Sequence, residues 1–131
     1  MTQADEPGQD SVVRNAIMFQ LYTTFIFVSL ILLIKSDKVA PTKDGLLGAF
    51  GVSLTLFGMC NLATTQGGAV FNPAVAMGLL TWDCINSDTF YESTKEYSWS
   101  FFATPLVAGL LAGLVHIAHR KAVSDAYATK N

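Results

Sequence analysis

The sequence predicts an all-α membrane protein with three transmembrane helices plus a re-entrant half-helix. Three observations lead there. Hydrophobic residues make up 51% of the 131 residues and charged residues only 14%, against about 25% charged in an average soluble domain. The charges are segregated, and no charged residue occurs between Gly45 and Trp82, a run of 38. Finally, three apolar stretches approach or exceed the roughly 20 residues needed to cross a bilayer, while a fourth is much shorter. A soluble enzyme, a disordered tail and a nucleic-acid binder are all disfavoured. The formal net charge of −2 offers no footprint for a polyanion.

The elements follow in chain order. Residues 1–13 form a polar, acidic tail (Asp5, Glu6, Asp10) without the basic start of a secretory signal or the arginine-rich character of a transit peptide. The first span is expected over residues 16–34, the second over about 45–65 and the third over about 97–119, with Pro105 near the start of the third. Helix is the only reading for such runs in lipid, because an open strand leaves its backbone groups unpaired there. Between the second and third spans lies Pro73 to about Trp82, followed by a polar loop over 83–96. Ten helical residues rise only about 15 Å, half the hydrocarbon thickness. The uncharged connection before them contains Gly67 and Gly68. Residues 66–82 therefore read as a re-entrant loop ending in a half-helix, and residues 121–131 as a C-terminal tail.

Orientation comes from the basic residues. Lys35, Lys38, Lys43, Arg120, Lys121 and Lys130 fall on one side, Arg14 and Lys95 on the other. Six against two places the C-terminus on the cytoplasmic or matrix side and the N-terminus outside. Trp82, Tyr91, Tyr97 and Trp99 read as an aromatic belt at the outer boundary.

The chemistry concentrates at Asn72-Pro73-Ala74. Proline suits the first turn of a helix, where its missing N–H has no intrahelical role. Asn72 can cap the helix and still offer an amide donor. Ala74 is small enough for close packing, and the helix start carries a partial positive charge.

The context of this tripeptide carries a family resemblance. Gly51-Val-Ser-Leu-Thr-Leu-Phe-Gly58 followed by Thr65-Gln-Gly-Gly-Ala-Val-Phe-Asn-Pro-Ala-Val-Ala-Met-Gly78 resembles the fifth span and re-entrant loop of the aquaporin family, the major intrinsic proteins. The stretch from Trp99 to Val115 looks like the family's last span, and Gln20-Leu-Tyr-Thr-Thr-Phe25 like the start of its fourth. The resemblance covers roughly residues 14–120 and implies half of an aquaporin-like hourglass bundle. In such a fold the positive ends of two half-helices meet at the bilayer midplane and order water while repelling cations. The expected partners are a complementary aquaporin-like half or other membrane subunits, the lipid bilayer, and water or a small neutral solute. An inverted second copy is disfavoured by the basic bias.

Three departures from the family pattern bear on a pore. Val75 stands where the second-half loop usually has arginine after Asn-Pro-Ala. Gln20 stands where the family places a glutamate that holds loop backbone. The filter position on the second span falls near Met59 or Cys60, both weak hydrogen-bonding groups. The implied function is a structural or accessory subunit of a larger membrane assembly, with a degenerate pore; the alternative is a water or small-neutral-solute channel built from half-size subunits. A signal-free accessory subunit fits an organelle membrane such as the mitochondrial inner membrane.

The remaining features are read more plainly. Gly109-x-x-x-Gly113, with Ala108-x-x-x-Ala112 beside it, makes a small-residue face on the third span, and Gly48, Gly51 and Gly58 thin the second. These serve packing within the half-bundle or an interface to the missing half. His116 and His119 sit at the inner end of the third span beside Arg120 and Lys121, where snorkelling explains them. Cys60 and Cys84 show no metal spacing and no disulfide framework. No catalytic constellation, cofactor motif or metal set is expected.

Overall fold

In the computed structural model of the chain, residues 9–36, 39–64, 70–86 and 98–129 are described. All regular structure among them is helical: α1 spans Gln9–Ile34, α2 Gly45–Thr64, α3 Pro73–Asn86 and α4 Ser100–Ala128. Three of these, α1, α2 and α4, are long and apolar enough to cross a membrane. By length α3 is not: 14 residues rise about 21 Å, against a hydrocarbon core of about 30 Å.

The helix ends differ from the expected ones where polar residues are involved. α1 begins by Gln9, inside the stretch read as tail, and its apolar window runs Val13–Lys35. α3 continues past Trp82 through Asn86, whose Nδ2 donates to the Trp82 carbonyl at 2.8 Å. α4 starts at Ser100 rather than 97, then continues to Ala128 through most of the segment read as a C-terminal tail. Hydropathy marks where lipid contact stops, but an α-helix can continue into water as long as its backbone ladder is unbroken. Thr129 closes α4, its backbone N–H and its Oγ1 both donating to the Asp125 carbonyl, at 3.2 and 2.6 Å.

The packing is that of a membrane bundle. α1 lies against α4 along most of its contact surface and meets α2 less extensively; α3 packs on α4. The buried apolar side chains among the described residues are small or compact: Ala76, Ala108 and Ala112, with Pro105 beside the last two on α4. Buried beside them are Gln20, Thr23, Thr24, Ser100 and Thr104. Large side chains such as Leu46, Phe57, Trp82, Leu110 and Leu114 are exposed. In a soluble domain this distribution would be inverted. In lipid it is expected, because apolar side chains gain little by leaving hydrocarbon and helices associate instead through small residues that permit close approach.

Ser100, Thr104, Ala108 and Ala112 recur every four residues and are all buried, so they form one stripe of α4. The glycines next to that stripe behave differently. Among the described residues, a Cβ at Gly109 or Gly113 would meet nothing outside its own helical backbone within 4 Å, whereas one at Gly48 would come within 3.0 Å of Ile34 Cγ2 and one at Gly51 within 3.4 Å of Ile34 Cδ1. Gly48 and Gly51 thus set the closeness of α2 to the end of α1. Gly58, further along α2, has open space.

Polar side chains on exposed helix surfaces are satisfied locally. Thr55 Oγ1 donates to Gly51 O, Asn61 Nδ2 to Phe57 O and Thr81 Oγ1 to Met77 O, each at 2.8 Å. Each bond runs to the carbonyl four residues back, a helix-internal partner that needs no water.

Candidate functional site at the start of the short helix

Asn72 is the N-cap of α3. Its Oδ1 accepts a hydrogen bond from the backbone N–H of Ala74 at 2.9 Å, and its carbonyl accepts the first helical bond from Ala76 N at 3.0 Å. Pro73 occupies the first helical position, where a fixed φ favours the helix and no donor is lost. With Oδ1 turned back to the cap, the amide Nδ2 is the group left to act as an outward donor. Asn72 itself is exposed.

Two contacts tie the residues just before Asn72 to α1. Gln20, 2% exposed, donates from Nε2 to the Val70 carbonyl at 3.1 Å. The rings of Phe27 and Phe71 lie 5.7 Å apart, tilted by 50°. Gln20 and Phe27 are seven residues apart, two helical turns, so both face the same way on α1. They also bracket the middle of its Val13–Lys35 window, lying about 10 and 21 Å along a helix of about 34 Å. The start of α3 is therefore bound to the central third of α1 along its length.

The identity of residue 20 matches its partner. A carbonyl needs a donor, and glutamine supplies one; an ionised glutamate only accepts. Glutamine at position 20 thus makes a bond to a carbonyl that an ionised carboxylate could not make. Beside it, Thr23 Oγ1 donates to the Phe19 carbonyl at 2.9 Å, and Thr24 Oγ1 is buried without a hydrogen-bond partner.

The filter-like positions are not brought together. Val75 is half-exposed on α3 (52%), Met59 is intermediate and Cys60 exposed on α2. Among the described residues α2 and α3 make no direct packing contact. Gly67 and Gly68, the expected loop support, lie outside the described residues, as do Tyr91 and Tyr97 of the expected aromatic belt. Trp82 and Trp99 are both exposed. His116 is intermediate and His119 exposed. Cys60 and Cys84 are both exposed thiols. Among the described residues no three His, Cys, Asp or Glu side chains are grouped to hold a metal.

The sequence pattern singles out Asn72, Pro73 and Gln20, which the structure places as described above, but not Phe27–Phe71 or the upper half of the α4 stripe. The stripe had a signal, small residues at four-residue spacing from Ser100 onward. The aromatic pair had none, since phenylalanine is frequent in every span.

Among known proteins, the chain matches no family model, no curated protein and no solved structure. Fold and composition define its class directly: an all-α protein with three helices able to cross a membrane, hence an integral membrane protein.

Proposed function

We propose that the chain is an aquaporin-like half-bundle that pairs with a complementary half across the face bearing Asn72. In this reading it serves as a structural or accessory subunit of a larger membrane assembly. α3 is a re-entrant half-helix entering from the side away from Lys35 and Lys43. An organelle membrane such as the mitochondrial inner membrane suits such a subunit, with the C-terminus on the matrix side.

The observation that carries the reading is an exposed Asn72 at a helix start tied to the middle of α1 by Gln20 and Phe27. A helix N-terminus has backbone N–H groups without partners. At mid-depth in a bilayer such groups are tolerated only against protein or in a wet cavity. α3 is the right length for this placement. From mid-depth, its first ten residues rise about 15 Å, which puts Trp82 at the hydrocarbon edge and Asp83 to Asn86 among headgroups.

Val75, Met59 and Cys60 favour the accessory role over conduction, because none offers the charge or the strong donor that orders and filters a water file. The channel reading retains one supporting feature, the outward Asn72 amide beside a positive helix end. One experiment separates them. A photo-crosslinker is placed at position 72 of the full chain in native membranes, and the purified assembly is reconstituted for osmotic swelling. The accessory reading expects a cross-link to one protein partner and swelling no faster than that of empty vesicles. Fast swelling that Asn72→Leu abolishes favours the channel. Cross-links to lipid alone overturn both.

A further inference from the structure

A cleft of about 840 Å³ lies where α1 hands over to α2, at the Lys35 end of α1. Its lining combines apolar residues, among them Ile34, Gly48, Ala49 and Val52, with the polar Lys35, Ser36 and Lys43. Among the described residues neither lysine ammonium has an ion-pair partner. Asp44, the one carboxylate of the lining among the described residues, caps α2 with one of its oxygens: its Oδ1 accepts from the backbone N–H of Leu46 at 2.8 Å and of Leu47 at 3.3 Å. Asp37 and Lys38, next in sequence, cancel in formal charge.

Ser36 supplies the independent sign of a ligand. It lines this cleft with 8% of its surface exposed, and its Oγ is buried without a hydrogen-bond partner. Its backbone is fully used, the N–H donating to Leu33 O at 3.3 Å and the carbonyl accepting from Ala40 N at 3.0 Å. An unpaired buried hydroxyl is costly unless an acceptor arrives. Two lysines and a buried hydroxyl, each without a partner among the described residues, and apolar lining at the level where the spans end share one complement, a phosphate-bearing anion. Basic pockets between transmembrane helices hold lipid headgroups by this chemistry.

We propose that the cleft between the end of α1 and the start of α2 binds a phosphate group through Lys35, Lys43 and Ser36. A phosphodiester lipid would place its glycerol and first methylenes against Ile34, Gly48, Ala49 and Val52. The site needs the chain to sit in a membrane, but not the pairing at Asn72.

The test uses the full chain reconstituted in phosphatidylcholine vesicles with and without phosphatidylglycerol, extracted in mild detergent and weighed by native mass spectrometry. Wild type is expected to retain phosphatidylglycerol in preference to phosphatidylcholine. Lys35→Gln with Lys43→Gln lowers that retention roughly tenfold or more, at about 1 kcal/mol per basic residue. Ser36→Ala lowers it several-fold with all charges kept. Arg120→Gln with Lys121→Gln, an equal loss of charge at exposed positions on α4, leaves it unchanged. Equal retention by the Lys35/Lys43 variant, or equal loss in the α4 variant, overturns the proposal. Competition then separates the sources. Displacement by inorganic phosphate but not by chloride of equal ionic strength supports a site for phosphate from either source. Displacement by neither supports the lipid alone. Displacement by chloride as readily as by phosphate means simple screening and overturns the site.

Discussion

Gln20 and Val70, fifty residues apart in sequence, are joined by a single hydrogen bond of 3.1 Å from the glutamine Nε2 to the backbone carbonyl. Gln20 is 2% exposed, so the bond forms where water cannot replace it. It joins the middle of the first long helix to the residue two positions before the cap of the short one.

Replacing this donor is therefore expected to loosen the start of α3. Gln20→Leu leaves the Val70 carbonyl without its partner and destabilises the fold by about 1–3 kcal/mol. Gln20→Glu, nearly the same shape, is at least as harmful when ionised, because a carboxylate faces a carbonyl with no proton between them. Thermal unfolding in detergent at neutral pH measures both. A Gln20→Leu variant as stable as wild type would contradict the assignment of Nε2 as the working group.

At Asn72 the two ends of one amide separate by substitution. Asn72→Ala removes the cap on Ala74 N–H and costs about 1 kcal/mol. Asn72→Asp keeps an acceptor for that N–H and so retains the cap, while losing the donor. In detergent the aspartate variant should unfold close to wild type and the alanine variant below it. Retention of a protein partner on purification should fall in both, since both lack the outward N–H. Full partner retention in both variants would count against pairing at this face.

The glycines of α2 and α4 predict opposite outcomes for similar changes. Gly48→Val places its Cβ 3.0 Å from Ile34 Cγ2, and the helices must separate; overpacking of this kind costs about 1–3 kcal/mol. A Cβ added at Gly109, as in Gly109→Val, meets, among the described residues, no atom outside its own helical backbone within 4 Å, so the helical fold should keep its stability. Circular dichroism melts of the two variants side by side check the contrast. A loss of stability in purified Gly109→Val without partners would mean that the open space beside α4 is filled by this chain.

The buried stripe of α4 gives a fourth test. Ala108 and Ala112 are 0% exposed, in a seam with buried Thr104 and Ser100. Ala108→Leu forces the helices apart and should cost about 1–3 kcal/mol or more. Leu110→Ala, on the exposed surface of the same helix (71%), should be close to neutral. Equal effects would mean that α4 is rotated about its axis from the orientation described.

The sequence by itself determined the class of this protein. Charge segregation and three long apolar runs specify spanning helices, because a bilayer accepts almost nothing else for such runs. It also determined where α3 begins, since Asn72 and Pro73 act on backbone groups within their own turn. The far ends of α1, α3 and α4 were not legible, because hydropathy changes at the lipid boundary while the helical ladder continues beyond it. Only the tertiary structure decided which faces meet. Helices that are apolar all round carry little periodic signal to distinguish one side from another, so nothing local tells Ala108 from Gly109. Nor could the partner of Gln20, a carbonyl half a chain away, or the cleft under Lys35 and Lys43 be read from spacing. Each exists only because the chain folds back on itself and places groups together whose distance in sequence is unrelated to their distance in space.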